Sequence, residues 1–314
     1  MIESVIILLV GLIVLAKSSD FVVEKSMYLS HLTHVSEIIM GFVFLSFATS
    51  LPELVVTLMS GLQGFGTLGL GTFIGSSIGD MLLVFGIISL IGFFQIFRKN
   101  YNKVLNIALL TSGIAMFFIV LGRIDFMFGI FCIVLFYFAA KSIIRDSVYV
   151  PKKKVNKKKL SVIRRELIKE ALLVFAGIVL LIVSAKLITD SSIAVSEFFG
   201  IYESVLGATI IALGSLLPEL SISISAIRKT DVDLAVGNLV GSLLVNMTFI
   251  LGIAAIISPV VLDPVLTFAL GYMIVANVAF VLIAHRSRFG RNEGLLLVSL
   301  YAIYLLIITG GMLA

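Results

Sequence analysis

Long apolar runs alternate with short polar segments along this chain, and within the runs the apolar residues are continuous rather than spaced at helical intervals. A hydrocarbon core about 30 Å thick is crossed by roughly 20 apolar residues in a helix. Ten runs meet that requirement, near 4–23, 36–61, 68–97, 104–121, 126–144, 170–193, 203–227, 234–258, 264–284 and 294–312. No stretch shows the alternating ten-residue segments of a membrane barrel, so helices must satisfy the backbone in lipid. The pattern predicts an all-α membrane protein of ten transmembrane helices.

Composition agrees: of 314 residues, 60% are hydrophobic and 13% charged, outside the usage of soluble domains. The start Met1-Ile2-Glu3 has no basic n-region and no small-x-small site follows the first run, so that run is expected to be a retained helix. The single cysteine, Cys132, allows neither an intramolecular disulfide nor a cysteine-rich metal site.

The net charge of +5 matters through its distribution. Basic clusters occur at Arg98, Lys99 and Lys103, at Arg228 and Lys229, at Arg286, Arg288 and Arg291, and from Lys141 to Lys169. With ten spans these clusters and Lys25 share one side, and Arg123 is the lone loop base on the other. The positive-inside rule makes the basic side cytoplasmic, with both termini outside a cell (inner) membrane. A solvated loop beside anionic headgroups accounts for the lysine run at 152–159, so no nucleic-acid partner is expected.

An internal repeat organises the chain. Gly41 to Glu53 reads GFVFLSFATSLPE and Gly207 to Glu219 reads GATIIALGSLLPE, an offset of 166 residues. The same offset relates Gly71 to Gly237, Gly75-Ser76 to Gly241-Ser242, Asp80 to Asn246 and Gly86 to Gly252. Five spans per half is an odd number, so the second half is expected to enter the membrane from the opposite side. The loops after the LPE helices agree: GLQGFGT is uncharged and AIRKTDV is basic, as loops on opposite sides should be. The expected division is a first five-helix repeat at 1–144, a basic cytoplasmic loop at 145–169 and an inverted second repeat at 170–314.

Inverted repeats characterise secondary transporters, whose sites lie between the repeats near the midplane. An ionisable residue within a span costs about 2.5–3.5 kcal/mol on insertion scales and needs a partner or a wet cavity. Glu53 and Glu219 each follow a proline in the second helix of their half, and Asp80 lies in the third. Proline leaves a carbonyl without its donor one turn earlier. Polar residues gather around the acids: Ser46, Thr49 and Ser50 before Glu53, and Ser215 before Glu219. Thr72, Ser76 and Asp80 share a helix face, as do Asn238, Ser242 and Asn246. Carboxylate, hydroxyl, amide and carbonyl oxygens suit hard cations such as calcium and sodium, whereas transition metals would call for His or Cys. Lys17 with Asp20, and Lys186 with Asp190, are expected to neutralise one another within their helices. No nucleophile–base pair or histidine metal motif suggests an enzyme.

The paired LPE helices, each followed by a glycine-serine helix ending in an acid or amide, resemble the α-repeats of the calcium/cation antiporter superfamily, specifically its prokaryotic sodium/calcium exchanger branch. The likeness extends over both halves. It implies a clustered set of ion sites and a first and sixth helix that slide across the remaining core. Under it Glu53 and Glu219 match the paired site glutamates, Ser76 and Ser242 the serines of the glycine-serine motif, and Thr49 and Ser215 the hydroxyls before LPE; Ala212 joins the expected set. Two departures stand out. The usual GTSLPE is ATSLPE and GSLLPE here, with Ala48 replacing a glycine and Leu216 a hydroxyl. The usual asparagine-then-aspartate order is reversed as Asp80 and Asn246. The expectation is an antiporter, without cofactor, that exchanges Ca2+ for Na+ as a monomer in membrane lipid, with H+/Ca2+ exchange as the alternative.

Overall fold

The computed structural model describes residues 2–33, 45–96, 98–145, 157–286 and 288–310. Its helices are α1 (Ile2–Thr33), α2 (Leu51–Leu62), α3 (Gly66–Ile91), α4 (Arg98–Leu121), α5 (Phe126–Arg145), α6 (Lys157–Phe199), α7 (Glu203–Arg228), α8 (Val232–Ile257), α9 (Pro264–His285) and α10 (Arg291–Gly310). Among the described residues nine of these contain a stretch long and apolar enough to cross a membrane. The exception is α2, preceded by the single helical turn Ser46–Thr49. Residues 36–44 of the expected second span, like Lys152 to Lys154 of the lysine run, lie outside the described residues.

Helix α6 begins at Lys157, inside the segment expected to be a loop. Its first turns are rich in Lys, Arg, Leu and Glu, strong helix formers that let the apolar helix extend beyond the lipid-length stretch. Helix α1 packs along α6. Where they cross, Gly11 lies against Ile188 and Gly177 against Val22; Gly177 and Ile188 follow Gly11 and Val22 by the same 166 positions. At their basic end Lys25 pairs with Glu24 at 3.1 Å and with Glu170 at 3.8 Å. Lys17 acts on Asp20 electrostatically, without an ion pair between them. Lys186 and Asp190 do not form the expected ion pair; Asp190 instead accepts a 3.0 Å hydrogen bond from Gln63 Nε2, which joins α6 to the end of α2.

Helices α3 and α8 are the most enclosed of the membrane-length helices. Side chains from both enter one apolar core with α4, α9 and α10, including Phe73, Phe85, Phe118, Met247, Phe280 and Tyr304. Between α4 and α9, Asn277 Nδ2 donates to Thr111 Oγ1 at 3.2 Å and to Ser112 Oγ at 3.0 Å. Two short backbone pairings tie the connections at opposite ends of α4. Strand β1 (Arg123–Ile124) runs antiparallel to β2 (Val260–Val261). At the other end Phe94 bridges to Phe289, their rings stacked with centroids 4.9 Å apart.

Helix α3 also packs closely on α7. A Cβ at Gly75 would stand 2.5 Å from the Ala208 carbonyl oxygen and 2.8 Å from Ala208 Cα, backbone atoms that no rotamer change can move. Gly75→Ala is therefore expected to lower stability by about 1–3 kcal/mol through overpacking. Gly113→Ala, with no atom of the described residues within 4 Å of the added carbon, should cost nothing comparable. Fluorescence-detected size-exclusion after heating separates the two; equal melting of both variants would refute this account of the α3–α7 contact.

Candidate cation site

Each LPE triplet breaks its helix and restarts it. Pro52 and Pro218 occupy the first turns of the resumed helices Leu51–Leu62 and Leu217–Arg228. A proline supplies no N–H to the turn before it, and the preceding turns Ser46–Thr49 and Ala212–Ser215 end at Ser50 and Leu216. Glu53 and Glu219 follow immediately, in first turns where unpaired N–H groups and the helix dipole favour negative charge. Both are 1% exposed.

Opposite these breaks, α3 and α8 present their polar rows. Thr72, Ser76, Ser77 and Asp80 are buried, as are Asn238, Ser242 and Asn246. Asp80 opens the π-helical turn Asp80–Val84, and Asn246 lies in the π-helical turn Val245–Ile250. Such turns widen the i→i−4 ladder and collect at functional sites. A third, Gly207–Ile211, precedes the LPE break of α7.

Hydrogen bonds cross between the halves. Thr49 Oγ1 bonds with Ser242 Oγ at 3.2 Å and donates to Asn238 Oδ1 at 3.4 Å. Ser46 Oγ donates to the Asn238 carbonyl at 3.1 Å. Asn246 Nδ2 reaches Ser76 Oγ at 3.4 Å and Ser77 Oγ at 3.3 Å. The hydroxyls of Ser215 and Ser76 approach the Glu53 carboxylate, and that of Thr49 approaches Glu219. Glu53, Asp80 and Glu219 lie near enough to repel one another electrostatically, and none of the three enters an ion pair among the described residues.

Several buried oxygens in this region have no hydrogen-bond partner among the described residues: Ser50 Oγ, Glu53 Oε2, Asp80 Oδ1, Glu219 Oε2 and Asn246 Oδ1. Leaving polar groups unpaired at such depth is costly. All five can act as acceptors, the chemistry of a cation cradle. Among the described residues no three acid, His or Cys side chains converge closely enough to hold a metal by themselves, so hydroxyl and amide oxygens would have to share in the coordination. The expected residues thus gather in one region, in differing states. The Ala212 carbonyl already accepts from Leu216 N at 3.1 Å and Ser215 Oγ at 3.0 Å. The Leu216 side chain lies over Gly79, where a Cβ would collide with it. Asn238 and Ser77, absent from the expected set, are bonded into the cluster. Asn238 was signalled by its helix row; nothing in the spacing singles out Ser77.

The profile of the family described as sodium/calcium exchanger protein matches residues 3–141 and 169–310. The inner membrane protein YrbG of Escherichia coli is 30% identical over 308 residues, covering 95% of this chain and 94% of that protein. The sodium/calcium exchanger MaX1 of Methanosarcina acetivorans is 25% identical over 346 residues, covering 96% and 97%. A solved structure of the sodium-calcium exchanger NCX_Mj superposes with a TM-score of 0.70 at 22% identity, covering 96% of this chain and 97% of that one, and so shares its fold. With its apolar helices, the chain is a multi-pass membrane protein. It belongs to the sodium/calcium exchanger protein family, within the calcium/cation antiporter superfamily.

Proposed function

We propose that this protein is a secondary active antiporter that exchanges Ca2+ for Na+ by alternating access. The carrying observation is the set of unpartnered buried oxygens on Ser50, Glu53, Asp80, Glu219 and Asn246. Calcium takes six to eight such oxygens in flexible geometry. Thr49, Ser76, Ser215 and Ser242 supply the surrounding hydroxyls, with Ser46 and Ala212 at the margin. Three carboxylates repelling one another, with no basic partner among the described residues, would be stabilised by one calcium or by several sodium ions, and competition for that charge would couple the two fluxes. Neither ion is a cofactor; both are cargo.

The architecture in this reading is ten membrane helices in two inverted repeats, 1–144 and 170–314, around a basic cytoplasmic segment at 145–169. The crossed contacts Gly11–Ile188 and Gly177–Val22 support a pseudo-two-fold relation, as does the Thr111–Asn277 bond between positions 166 apart. Loop bases put the termini outside the cell membrane. Helices α1 and α6, packed on each other, are the elements that would slide, and the Gln63–Asp190 bond would fasten α6 to the core at one end. The functional unit is a monomer in lipid.

One observation favours a second coupling ion. Leu216 occupies the place of a hydroxyl and lies against Gly79, beside Asp80, which removes an oxygen that sodium could use. H+/Ca2+ exchange at the same acids is therefore the alternative. Purified protein in liposomes separates them: calcium-45 uptake should follow an outward sodium gradient at equal pH inside and out. Uptake driven by a pH gradient without sodium would replace sodium by protons in this reading, and no uptake under either gradient would overturn exchange itself.

A further inference from the structure

Three tyrosines cluster where α9 meets α10. Tyr272 donates to the Leu300 carbonyl at 2.6 Å, and Tyr304 donates to the Ala208 carbonyl at 3.1 Å. Tyr301 lies beside Tyr304, the rings tilted with centroids 5.8 Å apart, yet its buried hydroxyl has no hydrogen-bond partner among the described residues. A phenol at such depth normally finds one. Its electrostatic neighbour is Asp80, whose Oδ1 is also unpartnered.

Helix packing explains the meeting. Gly86 of α3 and Gly294 of α10 touch backbone to backbone, and Val298 lies against Gly86 one turn further on. The helices run antiparallel, so six residues back from Gly86 and seven forward from Gly294 bring Asp80 and Tyr301 to the same level. The second half repeats the geometry. Gly252 touches Gly129 of α5 backbone to backbone, and the same counts lead to Asn246 and Phe136. Phe136 is half-buried among Phe47 and Phe249. Tyrosine thus stands on the side that carries the acid, and phenylalanine on the side that carries the amide.

We propose that the Tyr301 hydroxyl is a further ion-site residue, sharing with Asp80 the cation that Asp80 takes, by direct contact or through one water between them. Two orphaned oxygens on neighbouring helices that make no hydrogen bond to each other would both be satisfied by one species placed between them. The assignment rests on the exchanger reading for the cation's identity, and it makes the α10 face of the site a determinant of cation affinity, chemically unlike the α5 face.

Calcium-45 binding to the purified protein, with sodium as competitor, tests this separately from exchange. Tyr301→Phe removes one oxygen and should raise the half-saturating concentration of calcium or of competing sodium about tenfold, as one charge-assisted contact is worth, with maximal binding unchanged. Tyr304→Phe, which removes a hydroxyl already satisfied by Ala208, should leave both affinities in place. In Asp80→Asn protein, titrated over a higher concentration range, adding Tyr301→Phe should change nothing further. Unchanged affinity for both cations in Tyr301→Phe would overturn the proposal, as would an equal loss with and without Asp80. Those results leave exchange standing, since exchange is judged by the gradient-driven flux of the wild-type protein; a wild type that binds neither cation would overturn both.

Discussion

Glu53→Gln and Glu219→Gln are each expected to reduce calcium-45 uptake into liposomes by about a hundredfold or more. The substitution keeps shape and most hydrogen bonding while removing one negative charge from a site where the side chain is 1% exposed. Removing one partner of a buried charge interaction costs about 3–5 kcal/mol, which at 1.4 kcal/mol per tenfold is a hundredfold or more in affinity. Folding should survive. Each glutamate is repelled by other acids, so with no cation bound the glutamine variants should melt no lower than wild type in calcium-free detergent. Added calcium at a hundred times its dissociation constant should stabilise wild type by about 2.7 kcal/mol, and the variants much less. Calcium uptake retained in both variants would remove the glutamates from the ion path.

The second large effect concerns the reversed acid and amide. Asp80→Asn should lower calcium uptake by about tenfold or more, because one of three site charges is lost and the divalent ion is left undercompensated. Adding Asn246→Asp restores the charge count from the other half. Asn246 Nδ2 already lies 3.4 Å from Ser76 Oγ and 3.3 Å from Ser77 Oγ, on the turn before Asp80, so a carboxylate there would enter the same cluster. The double exchange should therefore transport severalfold more calcium than Asp80→Asn alone. Equal uptake by the single and double variants would mean that the two positions do not serve one ion.

What could be read from the sequence was whatever left a mark in side-chain chemistry or in repetition. Glu53 and Glu219 were legible because an acid after a proline occurs twice at one offset, and lipid makes each expensive to bury. Helix positions were legible because their apolar runs are long. The π-turns at Asp80, Gly207 and Val245 were not, since a widened hydrogen-bond ladder changes which carbonyl meets which N–H without changing residue type. Tyr301 was hidden for a different reason: a tyrosine on an apolar helix is ordinary, and only the neighbour across the packing interface makes its hydroxyl unusual. Asp190 was paired with the nearest base in its own helix, whereas the folded chain brings Gln63 from 127 residues away. Short-range spacing cannot see such a partner. In the sequence Leu216 is a missing hydroxyl; only the assembled helices place its side chain over Gly79.

The bond between Thr111 and Asn277 bears on descent. In the proposed architecture of two inverted repeats, positions that correspond in the two halves and also touch each other would sit at the axis relating those halves. If one gene encoding five helices was duplicated to make this chain, its product would have assembled as an antiparallel homodimer, and the residue at this position would have faced its own copy, as every isologous interface requires of residues on its axis. A side chain there meets another of its own kind. Fusion would lift that restriction: the Asn277 amide donates and the Thr111 hydroxyl accepts, a pairing of unlike residues that identical subunits could not place at one position.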